Sequence, residues 1–344
     1  MPSPKNIAVV GAGIAGLACA RTLERAGRRV TLLERNQQPG GRMASLDTPF
    51  GSFDHGMQYF TVRDPRLLQA MLVAPQTARR WSANAVRVLD AFGQVIEAPL
   101  PGGEPHWVGA PDMVALPLAW AEPLRRQGAL ALASRVSQIG RNAGGWALQV
   151  ERGDGSRATL GGFDAVALAL PAAPARDLLR ASGLLPRMVE QLAAVQVAPC
   201  WSLMLAFPQA VQPGLTRFGP QWNAARSTHH RLTWLSRESS KPGRGGIERW
   251  TAQASAEWSK EHLEDDHARV LAKLQKAFAE VTGIRIAPSH AEVHRWRHAR
   301  TLVPLGNSHV WDTRAQIGLA GDWCLGHRME DAFVSGLELA LKML

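Results

Sequence analysis

The sequence predicts an α/β protein in which a parallel-sheet domain is interrupted by an inserted α+β domain carrying a mixed sheet. Three observations lead there. A glycine-rich turn lies near the start, a second glycine pair follows it, and a strand, turn and helix at the far end return to the first domain. The opening turn is Gly11-Ala12-Gly13-Ile14-Ala15-Gly16. Before it, 6–10 reads as a short buried strand; after it, 15–26 has helical apolar spacing and 29–34 reads as a second strand. This is a Rossmann-type unit. Its glycines permit a tight turn, close approach of backbone to a pyrophosphate, and close packing of helix on strand. The helix N-terminus offers N–H groups and a positive dipole end to phosphates. Glu34, 18 residues beyond Gly16, stands where a carboxylate meets ribose hydroxyls, and Arg35 follows it.

The second pair, Gly40-Gly41-Arg42-Met43, lets the chain run beside a cofactor and brings a guanidinium near its phosphates. A plain NAD-binding unit has no need of it. At the far end, 316–320 reads as a strand, Gly321-Asp322 as a turn and 329–344 as a helix. An Asp here suits ribityl or phosphate oxygens, and the helix from Met329 would aim its N-terminus at the flavin N1/O2 edge. FAD is the expected cofactor.

Between these ends, 85–89, 94–98 and 107–108 read as strands and 113–127 as a helix. Stretches 135–139 (with Val136) and 145–151 read as paired strands, and 165–170 as a buried strand returning to the cofactor sheet. Further strands are read at 200–207, 231–236 and 249–254, with an amphipathic helix over 261–281 and a breaker-rich loop over 239–246. The expected division gives 1–75, 130–183 and 300–344 to a discontinuous FAD-binding domain, and 76–129 and 184–299 to a substrate domain. There is no second G-x-G-x-x-G, so a nicotinamide substrate would have to bind in the cleft between the domains.

Composition narrows the function. A hydrophobic content of 46% supports full cores, and no apolar run reaches membrane-spanning length. The first strand follows so closely on the N-terminus that no cleavable signal peptide is expected. Cys19, Cys200 and Cys324 are scattered without C-x-x-C, which points to a reducing cytoplasm and away from a disulfide reductase. The net charge of +10 is spread over arginines with no basic run, so nucleic acid is not an expected partner. His290, His294 and His298 recur every four residues, but the segment reads as strand, which puts His294, Trp296 and His298 on one face; no metal is expected. His229 and His230 read as exposed loop residues.

Several stretches together resemble the bacterial branch of the renalases, within the flavin amine oxidase superfamily. They are the two glycine motifs, 53–61 (Phe-Asp-His-Gly-Met-Gln-Tyr-Phe-Thr), Trp107-Val108-Gly109, Pro199-Cys200-Trp201, 294–300 and Gly321-Asp322-Trp323-Cys324-Leu325. His55 and Met57 depart from the family's Asp-x-Gly-x-Gln pattern. The resemblance implies a flavin amine oxidase or p-hydroxybenzoate hydroxylase-like architecture. It also implies Gly56 and Met57 beside FAD, and a pocket from Gln58, Tyr59, Phe60 and Thr61. Trp107, Val108, Trp201, Trp296 and Trp323 are candidates to wall a flat substrate against the flavin ring. Cys324 lies outside a flavin-tethering context and no lysine stands at an obvious N5-facing position, so noncovalent FAD is expected. The implied activity is oxidation of 2- or 6-dihydro isomers of NAD(P)H by hydride transfer to N5, giving NAD(P)+ and, with oxygen, hydrogen peroxide. Oxidation of a small amine and flavin binding without turnover are the alternatives.

Overall fold

The computed structural model describes residues 5–81, 86–97, 104–211 and 222–344. The expected strand ends at Ala85 and Ala98 lie outside them. A six-stranded sheet forms the first domain, in the order Val310–Asp312, Ile317–Leu319, Ala165–Leu168, Asn6–Val10, Arg29–Leu33, Leu130–Ala131. All neighbours are parallel except the first pair. Runs such as Ile7-Ala8-Val9-Val10 are buried on both faces, as a covered parallel sheet requires.

One face packs on the helix Ile14–Arg25, which crosses the final helix Met329–Met343. Gly336 allows that close crossing, because a Cβ there would overlap the Ala15 carbonyl oxygen. The other face is covered by the helices Ala172–Ala181 and Pro186–Ala193 and by an antiparallel three-stranded sheet spanning Ser134–Asn142, Gly145–Arg152 and Arg157–Phe163. The helix Ala115–Arg126, drawn with the substrate domain from sequence, buries Leu116, Trp120 and Leu124 in the core of the first domain. Its amphipathic face finds the first helix, and the chain then enters the edge strand Leu130–Ala131. Pro186–Ala193 likewise buries Met188 and Leu192 there.

The second domain is a seven-stranded mixed sheet in the order His290–Val303, Gln196–Phe207, Glu248–Ala254, Leu232–Arg237, Ala224–Ser227, Val86–Leu89, Val95–Glu97. Trp201, Leu203, Leu205 and Trp250 point to a helical layer, while the alternate residues face the first domain. The helix expected over 261–281 starts later, as His267–Thr282, and a separate short helix, Ala256–Glu261, precedes it. The break follows from capping: the Ser255 hydroxyl accepts from the Trp258 N–H, and the Asp266 carboxylate accepts from Ala268 and Arg269 N–H, starting a new helix.

Candidate functional site

A cavity of about 1940 Å³ separates the two domains. Its floor comes from the first glycine turn. Gly11 (φ 100°) donates its N–H to Leu33 O at 2.7 Å, in a conformation that favours glycine. A Cβ on Gly16 would overlap the Gly11 carbonyl oxygen, and one on Gly11 would strike Ala169. Gly13 differs: nothing lies within 4 Å of an added Cβ, and no side chain caps the helix that starts there. Glu34 holds the turn itself. Its carboxylate accepts from Ala12 N–H at 2.8 Å and from the Asn36 backbone and side-chain N–H at 3.0 and 2.9 Å.

The second glycine pair is docked on this turn by a bond from Gly40 N–H to Ala12 O at 2.9 Å, with φ of 123° at Gly40 and 56° at Gly41. It throws Arg42 across the cavity onto Asp322, with paired contacts of 2.8 and 2.5 Å and a third to Ala299 O. Burial alone would loosen the guanidinium's proton; Asp322 overcomes this and holds it more tightly than usual. Two motifs 280 residues apart thus form one ion pair. Gly321 N–H donates to the buried Ser335 hydroxyl at 2.9 Å, tying the turn to the final helix.

The ceiling is made of side chains from the second sheet: Cys200, Arg226, Trp234, Gln253, His294 and Trp296 all border the cavity. Gln253 donates to Gly56 O at 2.6 Å and the Trp296 indole to His55 O at 2.9 Å, so the ceiling grips the floor loop. His55 stacks on Trp296 (5.3 Å between centroids) and meets His294 at 4.3 Å. Burial, then the neighbouring His294, push the His55 imidazole down to about 4, against a smaller opposing pull from Asp54. Further along, Tyr59 lies 4.1 Å from His106 and 5.4 Å from Trp234.

Behind the floor loop sits a cluster that the sequence did not reveal. Asp54 accepts from Lys241 at 2.8 Å and Arg244 at 2.5 Å, and Glu238 accepts from the same two at 2.9 and 2.7 Å. All four side chains are essentially unexposed. Burial would raise the Asp54 carboxyl, but Lys241 and Arg244 overcome it and hold it below the usual carboxylate range. The segment read as a breaker-rich loop therefore supplies two buried cations. No signal in its composition distinguishes them from surface charges.

The structure brings most of the expected residues to the cavity: Gly11, Gly13, Ile14, Ala15, Glu34, Arg35, Gly41, Arg42, Met43, Gly56, Met57, Gln58, Tyr59, Phe60, Thr61, Val136, Trp296, Gly321, Asp322 and Met329. Ala12 and Gly16 support it from behind. Phe60 borders the cavity with its ring in the core, 3% exposed. Four expected wall residues do not border it. Trp107 takes Arg80 over its ring; Val108 is in the core. Trp201 packs under the helical layer, because strand alternation turns it away from Cys200, and its indole donates to His262 O at 3.0 Å. Trp323 is 1% exposed and donates to Leu170 O. His229 is buried, not exposed, and contacts Glu280; His230 is exposed. His55, His106, Arg226, Trp234 and Gln253 were missed as wall residues; alternation within 231–236 and 249–254 was the signal available for two of them. Among the described residues no cluster of His, Cys, Asp or Glu is placed for a metal, and no helix is long and apolar enough to cross a membrane.

The floor fits FAD: an uncapped helix start opens into the cavity beside Gly13, and the cavity has room for a dinucleotide and a substrate. Residues 9–73 match the NAD(P)-binding Rossmann-like domain, and residues 97–344 match the flavin containing amine oxidoreductase family. A hydroxyneurosporene desaturase of Cereibacter sphaeroides is 50% identical over 59 residues, 17% of this chain and 12% of that one. A putative L-amino-acid oxidase of Bacillus subtilis is 51% identical over 47 residues, 14% and 10% of the two chains. Each match thus spans about a tenth of the relative's length. A putative protoporphyrinogen oxidase from Exiguobacterium and a putrescine oxidase share the fold, each with a TM-score of 0.70 over 98% of both chains, at 14% and 12% identity. With 97–344 matched, this chain belongs to the flavin-containing amine oxidoreductase family.

Proposed function

We propose that the enzyme oxidises isomeric dihydronicotinamide dinucleotides, the 2- or 6-dihydro forms of NAD(P)H, to NAD(P)+, in the manner of the renalases that its sequence resembles. The observation that carries this reading is the charge and shape of the cavity. Eight arginines and five carboxylates border it among the described residues, and its far end is walled by Tyr59, Trp234 and His106. Such a lining suits a planar, phosphate-bearing substrate and disfavours a protonated amine. The uncapped helix start and Gly13 would hold the FAD pyrophosphate, and Glu34 the ribose. The start of the final helix would lie at the flavin. Bound FAD supplies a two-electron acceptor for such an oxidation and, when oxygen takes those electrons, hydrogen peroxide. The chain's own part is to position the dihydro ring, exclude water and keep His55 neutral beside it.

Amine oxidation is the second reading. It is favoured by the family match, by the putrescine bound in the putrescine oxidase, and by Glu257, an exposed carboxylate on the cavity wall. Anaerobic mixing of the FAD-loaded protein with 2- and 6-dihydro isomers, ordinary NAD(P)H and a set of amines separates the two. Bleaching of the flavin band by an isomer alone, with peroxide on admitting air, is the expected result. Bleaching by an amine alone overturns it.

A further inference from the structure

Arg226 is a cation without an obvious task. It is the one exposed residue of the strand Ala224–Ser227 and points to the cavity, while Ala224, Ala225 and Ser227 are buried. Its guanidinium makes no hydrogen bond or ion pair among the described residues. Glu104, an acid bordering the same cavity, is engaged by Arg63. The strand register pairs Arg226 with Trp234, so the two side chains share one face of the sheet. Next to the bridge between Phe60 and Trp107, the Tyr59 ring contacts His106, and Tyr59 in turn meets Trp234. Three flat rings and one free guanidinium thus converge on the substrate end. Burial, then the charge of Arg226, lower the His106 imidazole, with Glu104 opposing, so the ring enters this cluster neutral at pH 7.

We propose that Arg226, with Trp234, Tyr59 and His106, forms a subsite that captures the phosphate-bearing arm of the substrate. The proposal rests on the dihydronicotinamide reading for the identity of that substrate, and its chemistry is recognition of phosphate beside a planar ring. An exposed guanidinium binds a phosphate oxygen pair that lysine reproduces only as a point charge. Being exposed, Arg226 is replaceable without disturbing the core.

The test is a calorimetric titration of the FAD-loaded protein with ADP-ribose, which carries the phosphates without a ring to oxidise, and with inorganic pyrophosphate. The wild type is expected to bind ADP-ribose, and Arg226→Gln to bind it about tenfold or more weakly, with Arg226→Lys between them. FAD content and melting temperature should be unchanged in both variants. Added salt should weaken the wild type more than Arg226→Gln. Competition by pyrophosphate would assign recognition to phosphate; its absence, with Tyr59→Leu losing affinity instead, would assign it to the rings and overturn the role of Arg226. Equal ADP-ribose affinity in wild type and Arg226→Gln, or no binding by the wild type, also overturns it. If no dihydro isomer bleaches the flavin while ADP-ribose binding still depends on Arg226, the subsite stands and the substrate assignment falls.

Discussion

The two walls of the cavity are built by opposite means. The floor is backbone: Gly11, Gly13, Gly41 and Gly321 serve by lacking a side chain, and one ion pair, Arg42 with Asp322, closes it. The ceiling is side chain: Cys200, Arg226, Trp234, Gln253 and His294 come from five strands that other segments separate in sequence. A wall made by backbone constrains residue type at fixed spacing, so it leaves a motif. A wall made by side chains constrains only alternation along each strand, which tells two faces apart without saying what each face meets.

The largest expected effect breaks the floor. Gly16→Val forces a Cβ into the Gly11 carbonyl oxygen, while Gly13→Val places its side chain in open cavity. Both should abolish retention of FAD, a weakening of at least ~10⁴-fold, about 5.5 kcal/mol, as read by flavin absorbance left after dialysis. They should differ in stability. Gly13→Val should melt with the wild-type apoprotein, and Gly16→Val well below it, since its helix and strand must separate. If Gly13→Val keeps its FAD, the floor does not bind the cofactor through this turn.

The next effect lies where floor and ceiling are bolted together, at Asp54, Glu238, Lys241 and Arg244. Lys241→Met removes one cation at nearly constant volume and leaves two carboxylates facing one guanidinium. A loss of ~3–5 kcal/mol in urea unfolding is expected, because a buried charge is left uncompensated. The acid limb should change too. Asp54 is lowered from 3.8 to about 2, so its contribution is present above pH ~4 and is lost as pH falls towards 2. In Asp54→Asn that limb should flatten. A change in stability below ~1 kcal/mol in both variants would mean the cluster only offsets its own desolvation.

The same contrast explains what was legible beforehand. The parallel sheet, the order of the first elements, the Arg42 and Asp322 motifs and the return of the chain at Gly321 all followed from glycine spacing and buried apolar runs. Four of the five ceiling strands were also visible as strands; Ala224–Ser227, which carries Arg226, was not. Which of their faces met the cavity was not, and Trp201 was therefore placed on the wall that Trp234 occupies. Aromatic identity was the wrong guide, since Trp201 fills the helical side of the sheet at 0% exposure. Lys241 and Arg244 were hidden for a different reason. A charge becomes a core residue only when its partners come with it, and here Glu238 is local but Asp54 arrives from elsewhere in the chain.

A smaller effect sharpens the comparison at the contact between the walls. His55 belongs to the floor loop, and its ring lies on Trp296 and beside His294 of the ceiling. Its folded-state value of about 4, against 6.5 in the unfolded chain, means the unfolded state takes up the proton first as pH falls. Stability should therefore be complete above pH ~6.5 and decline as pH drops towards 4, by on the order of 3 kcal/mol. His55→Gln should lose that slope and retain the Asp54 limb below it. An identical slope in the variant would assign it to other histidines.

The smallest effect tests alternation over two adjacent residues. Tyr59 borders the cavity against His106 and Trp234, while the neighbouring Phe60 sends its ring into the core of the first domain. Phe60→Leu should cost ~1 kcal/mol of stability, a near volume-conserving change, and leave KM for the oxidised substrate unaltered. Tyr59→Leu should do the reverse. It removes ring contacts of ~0.5–1.5 kcal/mol, so KM should rise about two- to tenfold with the melting temperature and kcat held. A Tyr59→Leu enzyme with unchanged KM would leave the cavity end as packing, and the ceiling's part in binding would then fall to Gln253, His294 and Trp296 nearer the floor. Because the two positions are adjacent beside the bridge from Phe60 to Trp107 and send their side chains to different surroundings, opposite outcomes for them would show that one residue of register separates binding from folding here.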